Sequence, residues 1–481
     1  MKRMRSLLLV LPLLCLFGCN QESVNLDGYA PEVQTAIKGF VSTYKNQNNA
    51  YVVTDFDNTT AIFDIAYQCS VYQLETMSFA MDAEALRASL STLLELDETV
   101  NHYLDDVTSS YEVLVGEYGA FTPAGVEETK LHALHANPYW QEFSTKMKSF
   151  YDYVDDNTSD AVSLQWIMHW YSGMSEKEVY SMFKRSCETY QYADTVKQTW
   201  TSPSSIESKV GVVGCSFIKG VSVTESVKKM LKHYADNHID VWVCSASHVD
   251  GVRAAVDAYG LSDYITGVIG MTQKTNDGKF IPAYDYETGM PYLNKKNGNW
   301  EKTNVPIKAL PSREGKVQAI KNALFPRYGG QGPLAGFMDS SGDFNFCTEF
   351  SSLKMVICYN RADRKITEGG GLVAIAAMYQ KEKGLNLKSA NDKGETYYLL
   401  QGRDENGKRT LRESNKTIRY LEKEEKLFAG QDNFTLFDYL KEHNLDLRTF
   451  YGTFAAKTSK EQSVIGVAYG YLDSYAGYHN I

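Results

Sequence analysis

Short apolar runs punctuate the chain, and four of them end in a polar cluster. AYVV (50–53) leads into Thr54-Asp55, DVWVC (240–244) into Ser245, LAGFM (334–338) into Asp339, and LKMVICY (353–359) into Asn360. Runs of this length, rich in Val and Ile, read as buried parallel strands. Between them the period changes to that of a helix: Val223, Val227, Met230 and Tyr234 precede DVWVC, and Val249, Val252, Val256 and Tyr259 follow it, stopping at Gly260. Strand, helix, strand in alternation predicts an α/β fold, a doubly wound parallel sheet.

From Asp64 to about Cys215 the pattern is different. Long polar-aromatic stretches such as ALRASLSTLLELDETVNHYLDDV and SLQWIMHWYSGMSEKEVYSMFKRSCETY carry helical spacing without strand-and-glycine punctuation. They predict a mainly helical insertion placed directly after the first strand, and therefore over that strand's carboxyl end. Asp277-Gly278 and Asn297-Gly298 predict hairpins, as does Asn406-Gly407 in the tail. The expected divisions are a leader (1–19), a tether with a leading helix (20–50), a core (51–64 with 215–365), a helical cap (65–214) and a C-terminal extension (366–481) with no chemical reading.

Composition adds compartment and partners. The 481 residues carry a net charge of −10, and hydrophobic and charged shares of 43% and 22% are those of a globular protein. An acidic chain without a Lys/Arg run is a poor nucleic-acid binder, so no nucleic-acid partner is expected. Lys2, Arg3 and Arg5 open a short apolar run that ends in Leu16-Phe17-Gly18-Cys19. This is the form of an export signal, and it resembles the bacterial lipobox. The resemblance implies a lipid on Cys19 that tethers the protein to the membrane at the cell envelope, and Asn20 favours the outer membrane. Export permits disulfides, but Cys244 and Cys358 lie inside apolar runs and read as core residues. No CxxC spacing suggests zinc.

In an open α/β sheet the ligand crevice lies at the carboxyl ends of the strands. Asp55 and Asp57, two positions apart in DFDNTT, would meet there with the acids of DSSGD (339–343). Carboxylates from two strand ends suit a hard cation such as magnesium. Ser245, with Ala246, Ser247 and His248 opening the next helix, offers a hydroxyl and helix-start N–H groups to an anion. Lys316 begins an amphipathic helix, where the macrodipole disfavours a base, so its ammonium needs another reason to be there.

The order DFDNT (55–59), Ser245, Lys316 and DSSGD resembles the four motifs of the haloacid dehalogenase superfamily of phosphohydrolases, over about residues 51–359. The resemblance implies a phosphatase whose cap is the insertion. Asp55 would be the nucleophile, forming an aspartyl-phosphate, and Asp57 the general acid and base. Thr59, Ser245, Ala246 and Lys316 would hold the phosphoryl group, with Lys316 also serving catalysis. Asp55, the Asp57 backbone carbonyl, Asp339 and Asp343 would surround Mg2+. An acid at Asp57 points to ester hydrolysis, since dehalogenases of the superfamily lack one. Met338 departs from the family's usual glycine.

APEVQTAIKGF, DFDNTTAIFDIAYQCSVYQLE and WYSGMSEKEV also resemble the exported phosphorylcholine phosphatases and the phosphoserine-phosphatase-like group. That implies a small phosphate ester as substrate, with Trp166 and Trp170 as candidates for caging a choline headgroup. The alternative is a lipoprotein that keeps the fold and binds a partner without turnover.

Overall fold

The computed structural model describes residues 24–294, 297–362 and 369–427. The basic start, Cys19 and the end of the C-terminal extension lie outside the described residues.

A central sheet organises the chain. Its strands in chain order are β1 (Tyr51–Thr54), β2 (Asp240–His248), β3 (Gly267–Met271), β4 (Gly289–Asn294), β5 (Asn299–Pro306), β6 (Ala335–Met338), β7 (Met355–Tyr359) and β8 (Tyr397–Gln401). Across the sheet they run β8-β7-β6-β1-β2-β3-β4-β5. Every pairing from β8 to β3 is parallel, whereas β4 and β5 form an antiparallel hairpin on one edge. In β1, Val52 faces one core with Val241 and Phe337, while Tyr51 and Val53 face the other with Trp242 and Val356. Helices Pro31–Tyr44, Glu225–Asp236 and Val249–Ala258 cover the first face, and Glu314–Leu324 and Gly369–Glu382 the second. This is the doubly wound α/β architecture that the alternation predicts.

β3 and β8 were not separately legible in the sequence, and β8 moves a boundary. The described part of the C-terminal extension is not an appendage up to Gln401: Gly369–Glu382 and β8 continue the core, with Val356 of β7 paired to Tyr398. Beyond it, short strands at Arg403–Asp404, Thr410–Leu411, Thr417–Ile418 and Glu425–Lys426 form a small separate sheet. The expected Asn406-Gly407 turn joins the first two, with Gly407 at φ +50°. Asp277 and Gly278, at φ +48° and +74°, turn the hairpin Gln273–Asn276 to Lys279–Tyr284.

The insertion is a cap of helices from Ile65–Thr76 to Glu176–Tyr190. Helix starts are marked by Asp64, Asp82, Asp97 and Asn137, whose side chains accept backbone N–H bonds, and by a capping box of Ser175 and Glu178. The segment is mainly helical, as expected, with one strand pair that the pattern did not show. An antiparallel pair, Val196–Thr201 with Gly214–Lys219, closes the cap, and Trp200 anchors it by packing edge-on against Phe217 and Trp140.

Gly251 lets the cap approach the core closely. A Cβ there would lie 2.6 Å from the ring of Phe183, on cap helix Glu176–Tyr190. Gly251→Ala should therefore destabilise the fold by about 1–3 kcal/mol, as overpacking does. A urea denaturation midpoint at or above that of the wild type would show that the two helices can part at no cost.

Candidate active site

Two chain segments carry acids to the carboxyl ends of adjacent strands β1 and β6, and a third brings a lysine between them. Asp55 leaves β1 in extended conformation, its N–H donating to Phe337 O at 3.1 Å across the sheet. Its own carbonyl is pinned by the hydroxyls of Thr54 and Thr60, at 2.8 and 2.7 Å. The chain then turns sharply at Asn58, whose φ of +58° is left-handed, a conformation Asn tolerates better than most residues. That turn places Asp55 and Asp57 on one cavity.

Lys316 is the cation at the centre. It is 2% exposed, and its Nζ donates to Asp55 Oδ1 at 2.7 Å and to Asp343 Oδ1 at 2.5 Å. Burial works against its charge, but Asp343 and Asp55 outweigh burial and hold its pKa well above that of an ordinary lysine. The neighbouring acids feel the opposite strain. Burial first, and Asp343 next, push Asp55 well up despite Lys316, while burial raises Asp343 against the same ammonium.

Asp57 is held differently. Its Oδ1 accepts from the backbone N–H of Ile65 at 2.8 Å, and its Oδ2 from Ser247 Oγ at 2.6 Å and Ser245 Oγ at 3.3 Å. Burial, and then the Asp64 carboxylate, push its pKa up to about 8 in spite of these donors. Such a carboxyl holds a proton at neutral pH and sits near the pH at which it can also give one up.

Asp339 completes the group. Thr59 Oγ1 donates to its Oδ1 and Arg361 Nη1 to its Oδ2, each at 3.2 Å. Oxygen atoms of Asp55, Asp339 and Asp343, all buried, lie within 4.8 Å of one another. Asp55 and Asp343 share the Lys316 ammonium and Asp339 meets the Arg361 guanidinium, and an all-oxygen set of this spacing suits a hard divalent cation.

The structure thus brings Asp55, Asp57, Lys316, Asp339 and Asp343 together, with Ala246 in the cavity wall. It sets other expected residues back from the cavity lining. Ser245 is fully buried, its Oγ engaged with Asp57 and the Ser247 N–H. Thr59 orients Asp339 from behind instead of facing the cavity. Trp166 and Trp170 are cap core: the Trp166 indole donates to Leu90 O, the two rings pack edge-on at 6.1 Å, and neither lines the cavity. Large apolar rings gain most from full burial, and helical spacing gave no way to separate the inner face from the cavity face. The cap surface over the acids is formed by Tyr151, Tyr171, Ile167 and Met168. Ser247, Asp64 and Arg361 were missed as site residues. Ser247 and Asp64 stood beside named motifs, but Arg361, two residues past β7, had no motif to mark it.

No protein-family model and no curated protein matches the chain. Among solved structures, a conserved functionally unknown protein from Anaerococcus prevotii is similar with a TM-score of 0.63 at 22% identity, over 82% of this chain and 97% of that one. This likeness supports the fold. A phosphoserine phosphohydrolase-like protein from Francisella tularensis is a more distant match, with a TM-score of 0.28 at 11% identity over 64% of this chain and 87% of that one. A protein with unknown function from Bordetella pertussis gives 0.34 at 11% identity, over 71% and 98%. These two are too dissimilar in geometry to carry an argument.

Proposed function

We propose that the chain is a phosphoric monoester hydrolase working through an aspartyl-phosphate on Asp55. The observation that carries this reading is the paired environment of two acids on one cavity. Asp55 is hydrogen-bonded to an ammonium, and Asp57, two residues on, is buried with a pKa raised to about 8. One acid is placed to attack and the other to move protons.

In the first step an Asp55 carboxylate oxygen attacks phosphorus, the P–O bond to the leaving group breaks, and the departing oxygen takes the Asp57 proton. In the second, Asp57, now a carboxylate, takes a proton from water, whose oxygen attacks phosphorus and releases Asp55 and inorganic phosphate. Lys316 stays between Asp55 and Asp343 throughout, offsetting charge on the phosphoryl oxygens. A magnesium ion held by Asp55, Asp339 and Asp343, with the Asp57 carbonyl, would supply the remaining positive charge.

The cavity is small, about 190 Å3, which is below the usual range for drug-sized ligands and suits a phosphate bearing a short leaving group. Its cap side presents the rings of Tyr151 and Tyr171 with the Asp64 carboxylate nearby. Rings and a carboxylate favour a cationic headgroup, so phosphocholine or a phosphoserine-like ester is the substrate class we put first.

Asp55→Asn should abolish turnover. Asp57→Asn should slow hydrolysis of an alkyl phosphate far more than that of p-nitrophenyl phosphate, whose phenolate leaves without a proton. Equal losses on both esters in steady-state assays would refute the acid role.

Magnesium should stabilise the wild-type protein against heat, by about 2.7 kcal/mol at a hundredfold excess over its Kd. Asp339→Ala should lose most of that shift. Full activity after exhaustive dialysis against EDTA would remove the ion from the mechanism.

Free choline should inhibit competitively at millimolar concentration, and Tyr151→Leu should cut the preference for phosphocholine over ethyl phosphate by roughly 2- to 30-fold, the worth of one cation–π contact. Absence of inhibition together with an unchanged preference would leave a phosphatase without selectivity for a cationic headgroup.

A further inference from the structure

Two buried arginines of the small C-terminal sheet reach into the parts of the molecule on which turnover depends. Arg403 is 1% exposed. Its Nη1 donates to the backbone carbonyl of Asn58 at 2.7 Å and its Nη2 to Asn58 Oδ1 at 3.4 Å, while Nε and Nη2 hold Glu405 Oε1 at 2.9 and 2.6 Å. Asn58 is the left-handed residue that follows Asp57 and borders the cavity. The turn closes where its N–H donates to Phe63 O at 3.0 Å. Phe63 is itself left-handed, at φ +72°, and meets the ring of Tyr420 edge-on at 6.2 Å. Both left-handed residues of the nucleophile loop are therefore touched by the C-terminal sheet.

Arg409, on the same hairpin, is 2% exposed and grips the root of the cap. Its Nε donates to Ser222 Oγ at 2.9 Å, its Nη2 to Ala193 O at 2.9 Å and its Nη1 to Thr195 Oγ1 at 3.1 Å. Ala193 and Thr195 follow the last cap helix, and Ser222 lies where the chain has re-entered the core and bridges to Ile62 on the way in. Glu405 joins the two grips: its carboxylate holds Arg403, and its carbonyl accepts from Thr195 Oγ1 at 2.6 Å.

Burying two guanidinium groups costs several kcal/mol each unless every donor is well placed. An apolar pair would seal the same space without that cost, whereas the planar fork of arginine fixes direction as well as distance. We propose that this hairpin is a positioning device. Arg403 sets the angle of the loop that carries Asp55 and Asp57, Arg409 fixes the cap root, and the short hydrogen-bonded turn between them couples cap position to loop geometry. The kinetic part rests on the hydrolase reading; the mechanical part does not.

The test uses Arg403→Lys and Arg409→Gln in the full chain, with hydrogen–deuterium exchange as a readout that needs no substrate. Arg403→Lys should speed exchange across 56–64 and lower kcat roughly 10- to 100-fold, the scale of a small misplacement of reacting groups, with KM little changed. Arg409→Gln should speed exchange at 191–195 and, through the hairpin, at 56–64 as well. If Arg403→Lys does not fold, the double variant Arg403→Gln with Glu405→Gln removes the charge pair together and takes its place. Wild-type exchange at 56–64 in Arg409→Gln would overturn the coupling. Wild-type kcat and wild-type loop exchange in the Arg403 variant would overturn the positioning role. If the unaltered protein hydrolyses no phosphate ester, the hydrolase reading fails, and the exchange data still decide the coupling.

Discussion

The buried contact of Lys316 with Asp55 and Asp343 is the constraint around which the rest is arranged. Taking charges out of water costs several kcal/mol for each ion, and breaking such a group by removing one member leaves an uncompensated charge inside the protein. The fold meets that cost by convergence. β1 and β6 lie side by side, so Asp55 and Asp339 emerge next to each other, and Asp343 follows one turn later. Lys316 arrives from the opposite direction, at the start of a helix packed on the second face of the sheet. A parallel sheet is what allows loops far apart in sequence to end at one edge.

Legibility in the sequence followed the range of the interactions. Asp55, Asp339 and Lys316 were readable because each sits next to a local signal: a short apolar run that stops, or an amphipathic helix that starts. The hairpins at Asp277-Gly278 and Asn406-Gly407 were readable because the turn chemistry is contained in two residues. Trp166 and Trp170 misled because a helix of aromatics buries one face in its own domain and shows another to the cavity, and spacing alone does not say which is which. Tyr151 and Tyr171, close by in the cap, are the rings that turn to the site.

The C-terminal sheet was opaque for a different reason. Arg403 and Asn58 are separated by 345 positions, and no periodicity or motif spans such a distance. What marked the segment was a negative feature, a tail with no chemistry of its own. Its contribution is mechanical: it braces turns that hold groups from the first strand. β8 was hidden as well, because YYLLQ lies in a tail that offered no chemistry to tie it to the core; its place follows from pairing with β7.

On the hydrolase reading, the size of the cavity also bears on whether water or another molecule would receive a phosphoryl group from Asp55. With the cap seated as it is, the space of about 190 Å3 is walled by Tyr151, Tyr171, Ile167 and Met168 on one side and by the acids on the other. On the proposed reading a phosphate and a short leaving group fill such a volume, so a second organic acceptor would find room only after the leaving group departs. Water needs less room, and on the same reading Asp57, deprotonated by the first step, is placed to activate it. On the proposed hydrolase reading the small space would favour water as acceptor, and the residues that hold the cap root, Arg409 and Ser222 among them, would bear on that choice without touching the substrate.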